Sequence, residues 1–255
     1  MKAFLIGGAI FILGAIGVYL YVRAPKTDSP DANQSSRSMN EQVSFATRDG
    51  VTIKGDYYEG GGERAVLLLH MMPATRSSWV AFANTLVLEG WSALAIDLRG
   101  HGESTMSPRG VLDYQKFTDA EHQASIADVE AAVAYLTTEK KMKEISIAGA
   151  SIGANLAFFY AASHPEIRSL VLLSPGLDYH GVNAEAVAGQ FGGKTRLFFL
   201  ASRDDEYAAA STEEIYQKVK GEKQIQLFGD AGHGTTILER QPEYLKILAS
   251  WLAAK

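Results

Sequence analysis

From Ala65 onwards, short and almost wholly apolar runs alternate with longer stretches of helical spacing, a pattern that few folds accept. The runs are 65–69 (AVLLL), 92–96 (SALAI), 144–148 (EISIA), 169–173 (SLVLL), 196–200 (RLFFL) and 224–228 (QIQLF). The helix-like stretches lie near 77–89, 119–138, 154–163, 211–219 and 242–253, without an internal repeat. A strand apolar along its whole length has to be covered on both faces, as happens in parallel sheets whose crossover helices pack on either side. The expected fold class is therefore α/β, a doubly wound and mostly parallel sheet. Two alternating runs, QVSFAT and VTIKGDYY, stand close to the Arg48-Asp49-Gly50 turn ahead of the first apolar run and predict an antiparallel β-hairpin at the sheet edge. Ligands of such a sheet gather at the carboxyl ends of its strands.

Composition narrows the possible functions. The 255 residues are 47% hydrophobic and 21% charged, enough for one sizeable core. A net charge of −5 without a long basic run gives no footprint for nucleic acid. Cysteine is absent, which excludes disulfides, thiolate metal sites and a cysteine nucleophile. Neither a metal nor a cofactor is expected, and oligomeric state is left open.

The segment from Ala3 to Val22 contains no charged residue. As a helix rising roughly 1.5 Å per residue, it matches a hydrocarbon core of about 30 Å. A cleaved signal needs an apolar region of only about 7–15 residues ending at small residues. Here Val22 and Ala24 flank Arg23. Residues 1–24 are expected to be a transmembrane anchor or signal segment, the length favouring the anchor, with an exported domain behind it in the periplasm or outside the cell. Residues 25–40 are polar and rich in Ser, Pro, Asp and Asn, the composition of a flexible linker, so the folded domain is expected over 41–255.

Within that domain the run EISIA leads into GASIG at 149–153 and then into a helix-like segment. A strand, a sharp turn and a helix are what a nucleophile elbow requires, because its serine hydroxyl must be lifted above the sheet. Ser151 is accordingly the candidate nucleophile. A serine needs a base within hydrogen-bond reach. Of six histidines, His233 lies on a Gly-rich loop (GDAGHG) just after the last apolar run. His70, His101, His122, His164 and His180 read as structural or surface residues. The base needs a carboxylate to orient it, and FFLASRDDEY offers Asp204 or Asp205 immediately after a strand. Whichever acid does so, its neighbour should face water or pair with Arg203.

Taken together, GASIG, DLRGHGES and GDAGHG, in this order, resemble the α/β-hydrolase superfamily over about 41–255, and most of all its compact lipase-like and dienelactone-hydrolase-like members. The dienelactone hydrolases use a cysteine nucleophile, where this chain offers Ser151. The resemblance implies a triad of Ser151, Asp205 and His233, since relatives often carry the acid just before a short segment such as Glu206-Tyr207. It also implies an oxyanion hole made by the N–H groups of Ile152 and of Met72, in the loop after His70. Relatives read His-Gly-x there, so Met71 in the glycine position leaves Met71 as the alternative donor. The implied activity is hydrolysis of small-molecule carboxylic esters through an acyl-enzyme. Peptidase or thioesterase activity is the alternative, as is a non-catalytic anchored binding protein. The short interval 175–195 predicts an open or thinly covered site, and DLRGHGES reads as scaffold.

Overall fold

The computed structural model describes residues 40–193 and 195–254. In chain order the strands are β1 (Asn40–Ala46), β2 (Thr52–Tyr58), β3 (Arg64–Leu69), β4 (Ser92–Ile96), β5 (Met106–Ser107), β6 (Gly110–Val111), β7 (Glu144–Ala150), β8 (Ser169–Leu173), β9 (Asp178–Tyr179), β10 (Val182–Asn183), β11 (Arg196–Ser202) and β12 (Lys223–Phe228). The helices are α1 (Val80–Leu88), α2 (Asp119–Gln123), α3 (Ile126–Thr138), α4 (Ile152–Ala162), α5 (Glu185–Ala188), α6 (Glu206–Lys218), α7 (Thr236–Arg240) and α8 (Glu243–Ala253).

All six apolar runs are strands. They form a parallel array in the order β12-β11-β8-β7-β3-β4, and β2 continues it antiparallel beside β4. The β1–β2 hairpin closes that edge in antiparallel register, Ala46 opposite Thr52. Alternation within single strands shows why both faces need cover. Leu67 and Leu69 join a cluster with Val129, Leu136, Leu156 and Phe158 from α3 and α4, while Val66 and Leu68 join one with Phe82, Leu86, Leu248 and Trp251 from α1 and α8. Side chains i and i+2 share a face, so each central strand contributes to two cores. The fold is thus the doubly wound α/β sheet with an edge hairpin.

Some boundaries differ from expectation. The stretch 77–89 opens with a turn of 3₁₀-helix at Arg76–Trp79 before α1, and the stretch 119–138 divides into α2 and α3. Thr118 starts α2 with a capping box, its side chain accepting from the Glu121 N–H while the Glu121 carboxylate accepts from the Thr118 N–H. The expected anchor or signal segment at 1–24 lies outside the described residues, as does the expected linker except for Asn40. Among the described residues no helix is long and apolar enough to cross a membrane.

Candidate active site

Ser151 stands at the abrupt junction of β7 and α4, with φ +54° and ψ −121°. A positive φ is costly for a non-glycine residue and persists only where its surroundings impose it. Here the Ser151 N–H donates to the Leu173 carbonyl at 2.8 Å, and its own carbonyl accepts from Ala154 and Asn155 as α4 begins. The flanking glycines explain themselves by contact. A Cβ on Gly149 would lie 2.2 Å from the Gly153 carbonyl oxygen, and one on Gly153 would lie 2.4 Å from that of Leu69. Strand, elbow and helix start are therefore pressed together, with the chain leaving β3 directly beside the first turn of α4. Ile152 opens that helix, where a backbone N–H has no intrahelical acceptor.

The two neighbouring acids divide their work. Asp205 caps α6, accepting from the Ala208 N–H at 3.3 Å, and accepts a hydrogen bond from Nδ1 of His233. Nδ1 therefore carries the ring hydrogen. Asp204 turns the other way. It accepts from the Ser202 hydroxyl, from the Gly232 N–H at 3.1 Å and from the Ala231 N–H at 3.3 Å, with Arg240 3.6 Å away. The Ser202 bond, followed by those backbone donors, holds its carboxyl below the usual range. As expected for this neighbour, Asp204 lies at the exposed surface, but the expected pairing with Arg203 is corrected: Arg203 reaches Glu213, while Asp204 is engaged by the N–H groups of the histidine loop.

Loops from three more strands, β3, β4 and β8, complete the site. Gly234, beside His233, donates its N–H to Ser174 Oγ at 2.9 Å, and a Cβ on it would meet Ala150 and the Met71 sulfur. Met71 and Met72 are both partly buried, each packed against a different one of the two cores, so their side chains fill the rim of the core. His70 is fully buried. Its Nε2 accepts from the Leu98 N–H at 3.0 Å, so Nδ1 donates to the Met71 carbonyl at 2.9 Å, fixing the loop that carries both methionines. Burial, helped by nearby His101, pushes its imidazole down to about 4, so it stays neutral. Arg76 braces the far end of this loop on Asp97, Glu103 and Asp56. Arg99 likewise spans Asp49 and Asp128, which makes DLRGHGES a scaffold.

Tyr179 and Ser174 went unnoticed in the sequence. Tyr179, on β9, lies close to Ser151 and sets its ring edge-on to His233, with centroids 6.4 Å apart. The available signal was the His180-Gly181 pair between two short extended segments, a two-residue hairpin turn. Ser151 is 8% exposed, and the His233 side chain 37%.

Residues 64–193 match the family described as alpha/beta hydrolase fold, and the chain belongs to that family. Among curated proteins it resembles a non-heme chloroperoxidase of Kitasatospora aureofaciens, 31% identical over 130 residues, which are 50% of this chain and 42% of that protein. It also resembles a thermostable monoacylglycerol lipase of Bacillus sp. (strain H-257), 24% identical over 67% of this chain and 63% of the lipase. The chain spans less than two thirds of the length of these relatives. Among solved structures, an esterase of Pyrococcus furiosus superposes with a TM-score of 0.68 at 22% identity, covering 84% of this chain and 90% of the esterase. A dienelactone hydrolase of Anabaena variabilis does so with a TM-score of 0.68 at 18% identity, covering 84% and 98%. Likeness at these identities is likeness of fold.

Proposed function

We propose that the protein is a serine hydrolase of carboxylic esters, working through an acyl-enzyme on Ser151. The observation that carries this reading is the Asp205–His233 pair on loops that converge with a strained Ser151 elbow. With Asp205 on Nδ1, the Nε2 nitrogen of His233 is the base that takes the serine proton as Oγ bonds the carbonyl carbon. The same proton then goes to the leaving oxygen. A water molecule repeats the sequence against the acyl-enzyme. The negative oxygen formed in each half is held by backbone N–H groups of Ile152, at the positive end of α4, and of Met72.

The esterase and lipase relatives support the ester as substrate class. The interval 175–195 is short for a lid, which suits accessible esters of small molecules. A membrane anchor at residues 1–24 would hold this activity at an exported surface, fitting the uncharged run from Ala3 to Val22. A fluorophosphonate probe tests the central point: it labels the wild-type protein at Ser151, leaves a folded Ser151→Ala protein unlabelled, and ester hydrolysis falls by several powers of ten. Equal labelling of that variant overturns the reading.

A further inference from the structure

Tyr179 is held in place more firmly than a loop residue needs to be. It sits on the β9–β10 hairpin, whose two-residue turn, His180-Gly181, has φ of 53° and 78°, both positive as a type I′ turn demands. Buried Asn155 on α4 ties the hairpin down, donating to the carbonyls of Gly176 at 2.9 Å and Val182 at 2.8 Å and accepting from the Gly176 N–H at 3.0 Å. From α6, the Tyr207 hydroxyl donates to the Asp178 carbonyl at 3.0 Å, and its ring meets that of Tyr179 edge-on at 5.7 Å. Gly176 leaves the space this needs, since a Cβ there would lie 2.7 Å from the Tyr179 ring. The phenol is thus a fixed group, brought to Ser151 alongside His233.

Its hydroxyl has little else to do. Among the described residues its one backbone acceptor is the Ser174 carbonyl, at a long 3.4 Å. Burial, reinforced by the nearby Asp205 charge, pushes the phenol well above its ordinary range, so it remains a neutral O–H donor at any working pH. In a tetrahedral intermediate on Ser151 Oγ, the oxyanion turns to the backbone N–H groups of Ile152 and Met72. The leaving oxygen must instead face the imidazole that protonates it. A donor beside that imidazole therefore meets the leaving oxygen.

We propose that Tyr179 is a further catalytic residue, whose hydroxyl, placed beside His233, donates a hydrogen bond to the departing oxygen. The proposal rests on the acyl-enzyme reading of Ser151. In the step concerned, the bond between the carbonyl carbon and the leaving oxygen breaks, the electron pair goes to that oxygen, and the proton comes from His233. Tyr179 keeps its own proton and only shares it. Its contribution should scale with the charge on the leaving oxygen, large for an alcohol and small for a nitrophenol.

Tyr179→Phe tests this, because the ring and its contacts with Tyr207 and His233 are kept. The full-length variant and wild type are compared on esters of one short acyl group with leaving groups running from p-nitrophenol to a primary alcohol. The expected result is a kcat/KM lower by about 10- to 100-fold for the alcohol esters and by less than about threefold for the nitrophenyl ester, on the scale of single hydrogen-bond donors to developing charge. Loss of equal size across the series, or no loss, while a fluorophosphonate still labels Ser151, overturns the role of Tyr179 and leaves the nucleophile standing. Retained hydrolysis by a folded Ser151→Ala protein overturns both.

Discussion

Asp204 and Asp205 grip one loop by different parts: Asp205 binds the ring of His233, and Asp204 binds the backbone N–H of Gly232 just before it. The first contact sets the tautomer and orientation of the imidazole, and the second sets where its Cα stands. Adjacent residues can do this because Asp205 begins α6, where the backbone turns and sends successive side chains to different sides.

Their replacement by asparagine should separate the two roles. Asp205→Asn should lower kcat by roughly 10⁴-fold with little change in KM, since the amide favours the wrong tautomer of His233. Asp204→Asn keeps an acceptor for the Gly232 N–H and should lose less than about tenfold, together with some stability from the weaker bonds to Ser202 and Ala231. Steady-state kinetics on both, with circular dichroism to check folding, makes the comparison. A large loss confined to Asp204→Asn would reverse the roles.

Gly153 offers a test of the elbow that leaves every polar group in place. In a helix interior, alanine for glycine should stabilise by up to about 1 kcal/mol through backbone entropy. At Gly153 the added Cβ would lie 2.4 Å from the Leu69 carbonyl oxygen, which is strand backbone and cannot swing aside. Overpacking of that kind costs about 1–3 kcal/mol, so the steric term wins and Gly153→Ala should unfold at lower denaturant concentration. Because relief requires α4 to move away from β3, activity should fall as well. Equilibrium denaturation that finds the variant as stable as wild type would contradict the close approach.

What could be read from the sequence was whatever repeats with a local period or stands beside a strand end. The central strands were legible because a strand buried on both faces is apolar along nearly its whole length, as 65–69 and 170–173 are. Ser151, the Asp204-Asp205 pair and His233 could be singled out as candidates because each lies in the loop or turn that follows such a run. Tyr179 was not, because it lies on a two-residue strand whose place depends on Asn155 and Tyr207, partners from α4 and α6 that no local pattern announces. The roles of the two acids were hidden for the same reason: only the folded loop shows which carboxylate meets a ring and which meets backbone. Arg203 was misread because charge and proximity in sequence favoured it, while Asp204 found N–H groups from a loop 27 and 28 residues away.

The uncharged run from Ala3 to Val22 is tested by extraction. Alkaline carbonate washing should leave the full-length protein in the membrane pellet, and removal of residues 1–24 should release it to the supernatant. A mature protein whose N-terminus is found near Pro25 would show a cleaved signal instead.

His70 should make the fold sensitive to mild acid. Its Nε2 accepts from Leu98, its Nδ1 donates to Met71, and no water reaches it, so a proton on Nε2 would destroy one bond and bury a charge. Burial accordingly lowers its value from 6.5 to about 4. The direction follows from proton counts. Between those two values the unfolded chain binds a proton that the folded chain refuses, so the contribution to stability is fully present above 6.5 and is lost as pH falls towards 4. A shift of this size corresponds to at most about 3 kcal/mol. His101 and His122, also lowered chiefly by burial, act in the same direction. Urea denaturation should therefore give a lower midpoint at pH 5 than at pH 7.5. In His70→Gln, which is less stable at neutral pH because it cannot satisfy both Leu98 and Met71 as well, the difference between the two pH values should shrink. An undiminished difference in that variant would assign the acid sensitivity to other groups.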